Sequence, residues 1–511
     1  MRLLAGHDED SATATSGAGS DAARLRELGY DQELKRGLRA FENVAMGFAA
    51  ISPVVALYGV VAVGLVLAGP AWVWALPIAL VGQCLFLVLY AELASEFPVA
   101  NATYQWSRRL LGPAYGWFNG WVGLCAYAVA NTTIAYLAAP WALQLVGVEA
   151  SPGRLVAAGA VVVTFCTAVN LLGIDALKVA LVIGITAEAV ASVAIGFLLL
   201  FAYREHGFGL LTETLGAQAT SGGSTTLALL AALAVGGWVF IGFDACGLSA
   251  EETKGAARTV PRTVWVAMLS VGAIVLLNAA AITLAHPDIR QVLHGGDVDP
   301  VSTAVVTSVG DWFEKPFAAI TLTAFLACGL AAQSISARAI YSVARDGVLP
   351  GSRWLRRVDR RQVPRHALAV TAVVAWAGLL LGLRASAIGS LITFGTAGIY
   401  VAFLLLAVAG LLARTRGTWR PAGHVQLGRL GLVCNVLAVA WLAFETVNIA
   451  WPRESIAPPG APWYQVWAAV VVVAAIAVVG LLYLVVARPQ DRLAVTAAAA
   501  TPRRDVPAQR G

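Results

Sequence analysis

The sequence predicts an all-α integral membrane protein with twelve transmembrane helices, and three observations carry that prediction. The first is composition. Of 511 residues, 59% are hydrophobic and 13% are charged, against roughly 25% charged in an ordinary soluble domain. The second is run length: the apolar stretches exceed the roughly 20 residues that a helix needs to cross a bilayer. The third is where the basic residues fall. With the N-terminus inside, six of the 35 Lys and Arg lie on the outer side: Arg154, Arg204, Arg290, Lys315, Arg384 and Arg453. The remaining 29 lie in the termini, the inner loops and the inner helix ends. One missed span would scramble that asymmetry. The net charge of +6 is therefore a topology signal. It predicts the lipid bilayer as a partner and no nucleic acid.

Taken in order, residues 1–28 are Ala, Gly, Ser, Thr and charge, without the apolar core of a signal peptide, and are expected to be a disordered cytoplasmic head. Gly29 to Arg39 is a polar helical approach. Twelve spans then follow, with boundaries good to a few residues: about 40–67, 71–95, 114–143, 154–173, 176–202, 226–250, 262–285, 315–345, 366–384, 387–413, 428–450 and 463–487. A polar link, FPVANATYQWSRRLLGP, joins spans 2 and 3. The largest basic cluster, Arg345 to Arg365, forms the loop after span 8 and reads as a solvated, membrane-facing segment. Residues 488–511 are expected to be a disordered cytoplasmic tail. The domain reading is a first repeat over 29–203, a second over 226–413, and a final pair of spans over 428–487.

Several kinds of chemistry are missing from the pattern. The six Cys, at 84, 125, 166, 246, 328 and 434, are scattered in apolar spans at no metal-ligand or disulfide spacing. They read as small packing residues. None of the six His lies mid-span. No nucleophile–base pair and no phosphate loop is present, so the expectation is no enzyme, no cofactor and no metal.

The informative stretch is span 6 with its exit, TTLALLAALAVGGWVFIGFDACGLSAEETKGAARTVPRTVW over 225–265. Gly236, Gly237 and Gly242 fall inside it, interleaved with Trp238, Phe240, Ile241 and Phe243, and Asp244 follows. Gly weakens a helix by roughly 1 kcal/mol, and Asp near the bilayer centre costs roughly 2.5–3.5 kcal/mol on insertion scales. A helix carrying both at one depth is predicted to break there and to turn its freed backbone groups toward a polar cavity. Span 1 carries a matching interruption at Ala50-Ile51-Ser52-Pro53. Pro removes an N–H and disfavours helix in the residue before it. If spans 1–5 and 6–10 are two repeats, these breaks are equivalent and the odd number inverts the second repeat. Paired interruptions in inverted halves point to a midplane substrate site in a secondary transporter. Span 3 adds Tyr127 and Asn131, and span 8 adds Ser334, as polar groups expected to line or border that cavity. A carboxyl at such depth can load and release a proton, since desolvation disfavours its charged form. Asp244 and Glu188 of span 5 are the candidates, with Asp244 favoured as nearer the substrate.

Four stretches also carry a resemblance: GYDQELKRGLRAFENVAMGFAAISPVVALYGV at 29–60, AELASEFPVANATYQWSRRLLGPAYGWFNGW at 91–121, GFDACGLSAEETKGAARTVPR at 242–262 and SISARAIYSVARDGVLP at 334–350. In them the chain resembles the amino acid–polyamine–organocation permeases, closest to the bacterial amino-acid and choline permease branch. The resemblance implies the five-plus-five inverted-repeat fold shared with the sodium-coupled leucine transporter. It implies a substrate held between broken helices 1 and 6 and walled by spans 3, 8 and 10. Arginine/agmatine exchangers of the superfamily carry Trp-x-x-Ile-x-x-Glu in span 6, and here that spacing holds Trp238, Ile241 and Asp244. By that similarity Trp238 caps the substrate, Ile241 lies beside it and Asp244 takes the place of the acid. Two features depart from the pattern. Many members have a Gly-Ser-Gly-like break in span 1, where this chain has Ile51, Ser52 and Pro53. Some proton-coupled members have a mid-span Lys in span 5, where this chain has Thr186 and Glu188.

The resulting expectation is a plasma-membrane permease, termini inside, moving an amino acid or related amine by alternating access, with a proton as coupling ion. An amino acid is favoured over a plain amine. Sodium held by Ser334 and Ser336, substrate exchange, a choline- or polyamine-type cation transporter and a non-transporting nutrient sensor are the alternatives.

Overall fold

The way span 1 meets span 6 organises the structure, a computed structural model that describes residues 21–383, 387–453 and 462–493. Span 1 enters as Ala40–Ile51 and stops at Ser52, whose φ of 49° and ψ of 107° are not helical. It resumes as Pro53–Tyr58 and Val61–Ala68. Pro at the first helical position lacks an N–H that would have been unpaired there anyway. Span 6 enters from the other side as Thr225–Val239, loses helical geometry from Phe240, and restarts as Ala245–Leu248 and a 3-10 turn at Ala250–Glu252. Gly242 sits in the gap with φ +98°, where a Cβ would lie 2.6 Å from the carbonyl oxygen of Ala50.

The two inner half-helices run antiparallel. Gly242 lies against Ala50, Gly47 leaves no room for a side chain beside Cys246, and Asn43 reaches further along. Its Nδ2 donates to the Cys246 carbonyl at 3.1 Å, Ser249 Oγ at 3.1 Å and Thr253 Oγ1 at 3.0 Å. At the inner end Leu38 exchanges backbone hydrogen bonds with the strand-like exit of span 6, to the Glu252 carbonyl and from the Lys254 N–H at 2.8 Å each. Spans 1 and 6 thus cross in opposite senses, as an inverted pair of repeats requires.

The rest of the chain is helical, and among the described residues eleven helices are long and apolar enough to span, or twelve with the bent span 6 included. Trp72 folds its ring over Gly64, and so the chain doubles back between spans 1 and 2 rather than continuing as one rod. Span 2 is Ala75–Glu96. Span 3, Pro113–Leu145, has 33 residues, about 50 Å of helix, more than the roughly 30 Å bilayer core. Spans 4 and 5 are Pro152–Leu171 and Ile174–Phe201. Span 7 is Ala256–Ala285, span 8 Glu314–Arg345 and span 9 Arg365–Leu379. Span 10 is Ala387–Thr415, span 11 Leu430–Ala450 and span 12 Ala468–Ala487. Burial sorts them. The apolar windows of spans 1, 3 and 8 are each 72% buried, whereas that of span 12 is 11% buried and lies on the outside of the bundle.

Three differences from the sequence reading stand out. The polar link between spans 2 and 3 contains a helix, Ala102–Leu111, that buries Tyr104 and Trp106 and ends on Arg108 and Arg109. Of the expected disordered head, residues 21–27 are helical, and Arg24 pairs with Glu96 at 3.0 Å. In the tail, Leu493 is buried against Tyr104 and Trp117. The expectations for residues 1–20 and 494–511, and Arg384, lie outside the described residues.

Candidate functional site

The breaks meet around a narrow cavity. Its walls come from Ile51 of span 1, Tyr127 and Asn131 of span 3, Trp238, Ile241, Gly242 and Asp244 of span 6, Ser336 of span 8 and Ile399 of span 10. Most of these are buried, Trp238 at 5% exposure and Asp244 at 1%, while Gly242 and Ala50 are partly exposed. Among its lining residues, Asp244 is the one with a formal charge.

Each polar group is held by its own element. Asp244 starts the inner half of span 6, and its position past Gly242 turns its side chain inward. Tyr127 donates its hydroxyl to Asp244 Oδ2 at 2.5 Å, and Tyr90 donates to the Asp244 carbonyl at 3.1 Å. Asn131 lies one turn beyond Tyr127. Its Nδ2 donates to the Tyr127 carbonyl at 2.8 Å and to Ser336 Oγ at 2.6 Å, while its Oδ1 has no partner. Trp238 Nε1 also lacks one. Buried polar atoms are normally paired, so an acceptor and a donor left open on one cavity wall suit a bound solute.

Ile51, Tyr127, Asn131, Trp238, Ile241, Gly242 and Asp244 line the cavity. Other residues named from the sequence lie outside the lining. Phe243 turns into the core against Tyr90 and Phe403, with ring centroids 5.5 and 5.3 Å away, and Phe240 is fully buried in the same core. Ser52 and Pro53 form the step in span 1 and are buried behind Ile51. Ser334 faces the other way along span 8, where its carbonyl accepts from Arg338 at 2.8 Å. Arg338 in turn pairs with Glu252 at 2.5 Å, closing the inner end of span 6 against span 8. Positions two apart on a helix point in nearly opposite directions, which is why Ser336 enters the cavity and Ser334 does not. Cys328, Ala332, Ile335 and Ser336 together form the cavity stripe of span 8. Their helical spacing was readable, but the phase was not.

Glu188 does not line the cavity either. It reaches from span 5 to the step in span 1, where its Oε1 accepts from the Ser52 hydroxyl at 2.5 Å and from the Val54 N–H at 3.0 Å. It is fully buried and its Oε2 has no partner.

With that geometry in place, comparison with known proteins gives a consistent picture. A family model described as amino acid permease matches residues 41–476. The chain is 27% identical to the amino-acid permease BAT1 homolog of Oryza sativa subsp. japonica, over 86% of this chain and 90% of the relative. It is 26% identical to the low-affinity putrescine importer PlaP of Escherichia coli strain K12, over 81% of this chain and 89% of the relative. Similarity also extends to the thiamine transporter thi9 of Schizosaccharomyces pombe, at 24% identity over 84% of this chain and 80% of the relative.

Proposed function

The chain belongs to the amino acid permease family, a family of transporters rather than enzymes, and from that premise we propose that it moves a small amine-bearing solute across the membrane by alternating access. The observation that carries the reading is the meeting of two antiparallel broken helices at a buried cavity with one acid on its wall. A site between broken helices near mid-membrane can open to either side as one repeat rocks against the other. The ammonium of an amino acid or amine is the group that Asp244 suits, and the Trp238 ring suits the adjoining carbons or a cation. Relatives named as amino-acid permeases and as a putrescine importer support both substrate types.

The coupling ion in this reading is a proton, carried by Asp244. It is the carboxyl on the cavity wall, whereas Glu188 is engaged in holding span 1. Ser334 and Ser336 point to opposite sides of span 8, which favours the proton over a sodium ion shared by these two serines. The asymmetry of Lys and Arg supports a plasma-membrane orientation with both termini cytoplasmic. The test is uptake of labelled amino acids and amines into proteoliposomes under an imposed proton gradient or sodium gradient. Accumulation driven by an inward proton gradient is the expected result. Accumulation that follows sodium and ignores pH contradicts the coupling, and the absence of any uptake or exchange contradicts transport.

A further inference from the structure

We propose that the solute taken by this site is an organic amine without a carboxylate, and that Glu188 is the residue that sets this choice. The proposal rests on the transporter reading and narrows its substrate. At the start of a half-helix the first N–H groups have no helical partner, and in broken-helix transporters such ends can receive an anionic group of the substrate. The question is where those N–H groups go in this chain. Ser52 N–H donates to the Phe48 carbonyl at 2.7 Å. Pro53 has no N–H. Val54 N–H donates to Glu188 Oε1 at 3.0 Å, Val55 N–H to Ser52 Oγ at 3.1 Å and Ala56 N–H to the Ser52 carbonyl at 2.9 Å. Each of these donors is used within the protein, and the carboxyl that takes the Val54 N–H is that of Glu188.

The cavity wall completes the argument. Among the described residues it carries Asp244 and no Lys, Arg or His. Asn131 offers an open acceptor in Oδ1, and the amide is oriented by its Nδ2 contact with the Tyr127 carbonyl. The hydroxyls of Tyr127 and Ser336 already donate, to Asp244 and to the Ala332 carbonyl at 2.7 Å. Among the described residues Trp238 Nε1 is the one unpartnered side-chain donor on the wall, a neutral group suited to a hydroxyl or ring nitrogen. At the second break the N–H groups of Ile241, Gly242 and Phe243 have no partner among the described residues, but the inner half-helix begins on Asp244 itself, so a carboxylate drawn to them would lie beside a resident carboxyl. A carboxylate entering here would be desolvated beside Asp244 without a cation to pair with, an arrangement that charged groups do not tolerate. An ammonium meets Asp244 and Asn131 Oδ1.

The test uses the full-length chain in proteoliposomes and matched pairs: lysine with cadaverine, ornithine with putrescine, arginine with agmatine. Each pair shares one body and differs by the carboxylate. Half-maximal concentrations for uptake are measured for the parent, Glu188→Gln and Glu188→Ala. The expected result is that the parent takes each amine at a concentration at least tenfold lower than its amino acid. Both variants are expected to shift that ratio toward the amino acid by tenfold or more. Glu188→Gln keeps the side-chain shape, so it decides the matter if Glu188→Ala does not fold. A parent that takes an amino acid as well as its amine overturns the proposal, as does an unchanged ratio in a folded Glu188→Gln. Uptake of neither member of any pair, nor of any other amine or amino acid, removes the transporter reading beneath it.

Discussion

Tyr127 on span 3 places its hydroxyl 2.5 Å from Asp244 Oδ2 at the break in span 6. The bond ties span 3, one of the three most buried spans, to the inner half of span 6. It also fixes the orientation of the charged group on the cavity wall. A hydrogen bond to a charged group contributes roughly 1.5–3 kcal/mol. Tyr127→Phe keeps the ring and removes the donor. The expected outcome is a rise of about tenfold or more in the half-maximal concentration for uptake, at unchanged protein yield. An unchanged value would mean that the Tyr127 hydroxyl does not orient the binding group.

The glycines of span 6 have separable roles. Gly242 takes φ +98°, a conformation costly for a residue with a Cβ, and its Cβ would lie 2.6 Å from the Ala50 carbonyl oxygen. Gly236 remains helical, and its Cβ would meet nothing nearer than 3.8 Å. Gly242→Ala should lower the thermal stability of detergent-solubilised protein and abolish most uptake. Its cost is about 1–3 kcal/mol from backbone strain alone. Gly236→Ala should be neutral or slightly stabilising, because Ala favours helix by about 1 kcal/mol over Gly. Equal effects from the two would undo the assignment of the break.

The inner end of span 6 is tied to span 8 by two buried ion pairs, Glu252 with Arg338 at 2.5 Å and Glu251 with Arg345 at 2.8 Å. Removing one partner leaves an uncompensated buried charge, at about 3–5 kcal/mol. Glu252→Gln is therefore expected to destabilise the protein strongly, as is Arg338→Met. The double variant should be less destabilised than the sum of the singles, with a coupling of about 2 kcal/mol or more. Additive losses in melting experiments would show that the pair is not an energetic unit.

Much of this was legible because membrane helices advertise themselves through length and apolarity, and because a bilayer penalises every unpaired polar group. The break in span 6 was visible in Gly242 and Asp244. Gly236 and Gly237, equally conspicuous, stay within Thr225–Val239 and serve packing, with Gly237 making room beside Glu445 and Tyr400. Composition does not say which of three glycines takes a positive φ. Ser52-Pro53 also marked a break, but its partner did not follow from it, since Glu188 is 136 residues away. Only the packing of span 5 on span 1 brings the two together. On span 8 the polar positions were evident and their rotation was not, so Ser334 was expected where Ser336 is found. The aromatic run misled in the same way, because Phe240 and Phe243 look alike in sequence to Trp238 but pack into the core.

The central claim is that Asp244, at the meeting of the two broken helices, holds the solute that is carried. Its most direct test is uptake by proteoliposomes containing either the parent or Asp244→Asn, at matched protein content and with both forms monodisperse in detergent. Asn preserves the size of the side chain and an acceptor for Tyr127 while removing the charge. The account predicts that the parent accumulates a labelled amine and that Asp244→Asn retains less than about one tenth of that rate, in keeping with a lost buried charge pair. Uptake by Asp244→Asn at the parental rate and half-maximal concentration would contradict it.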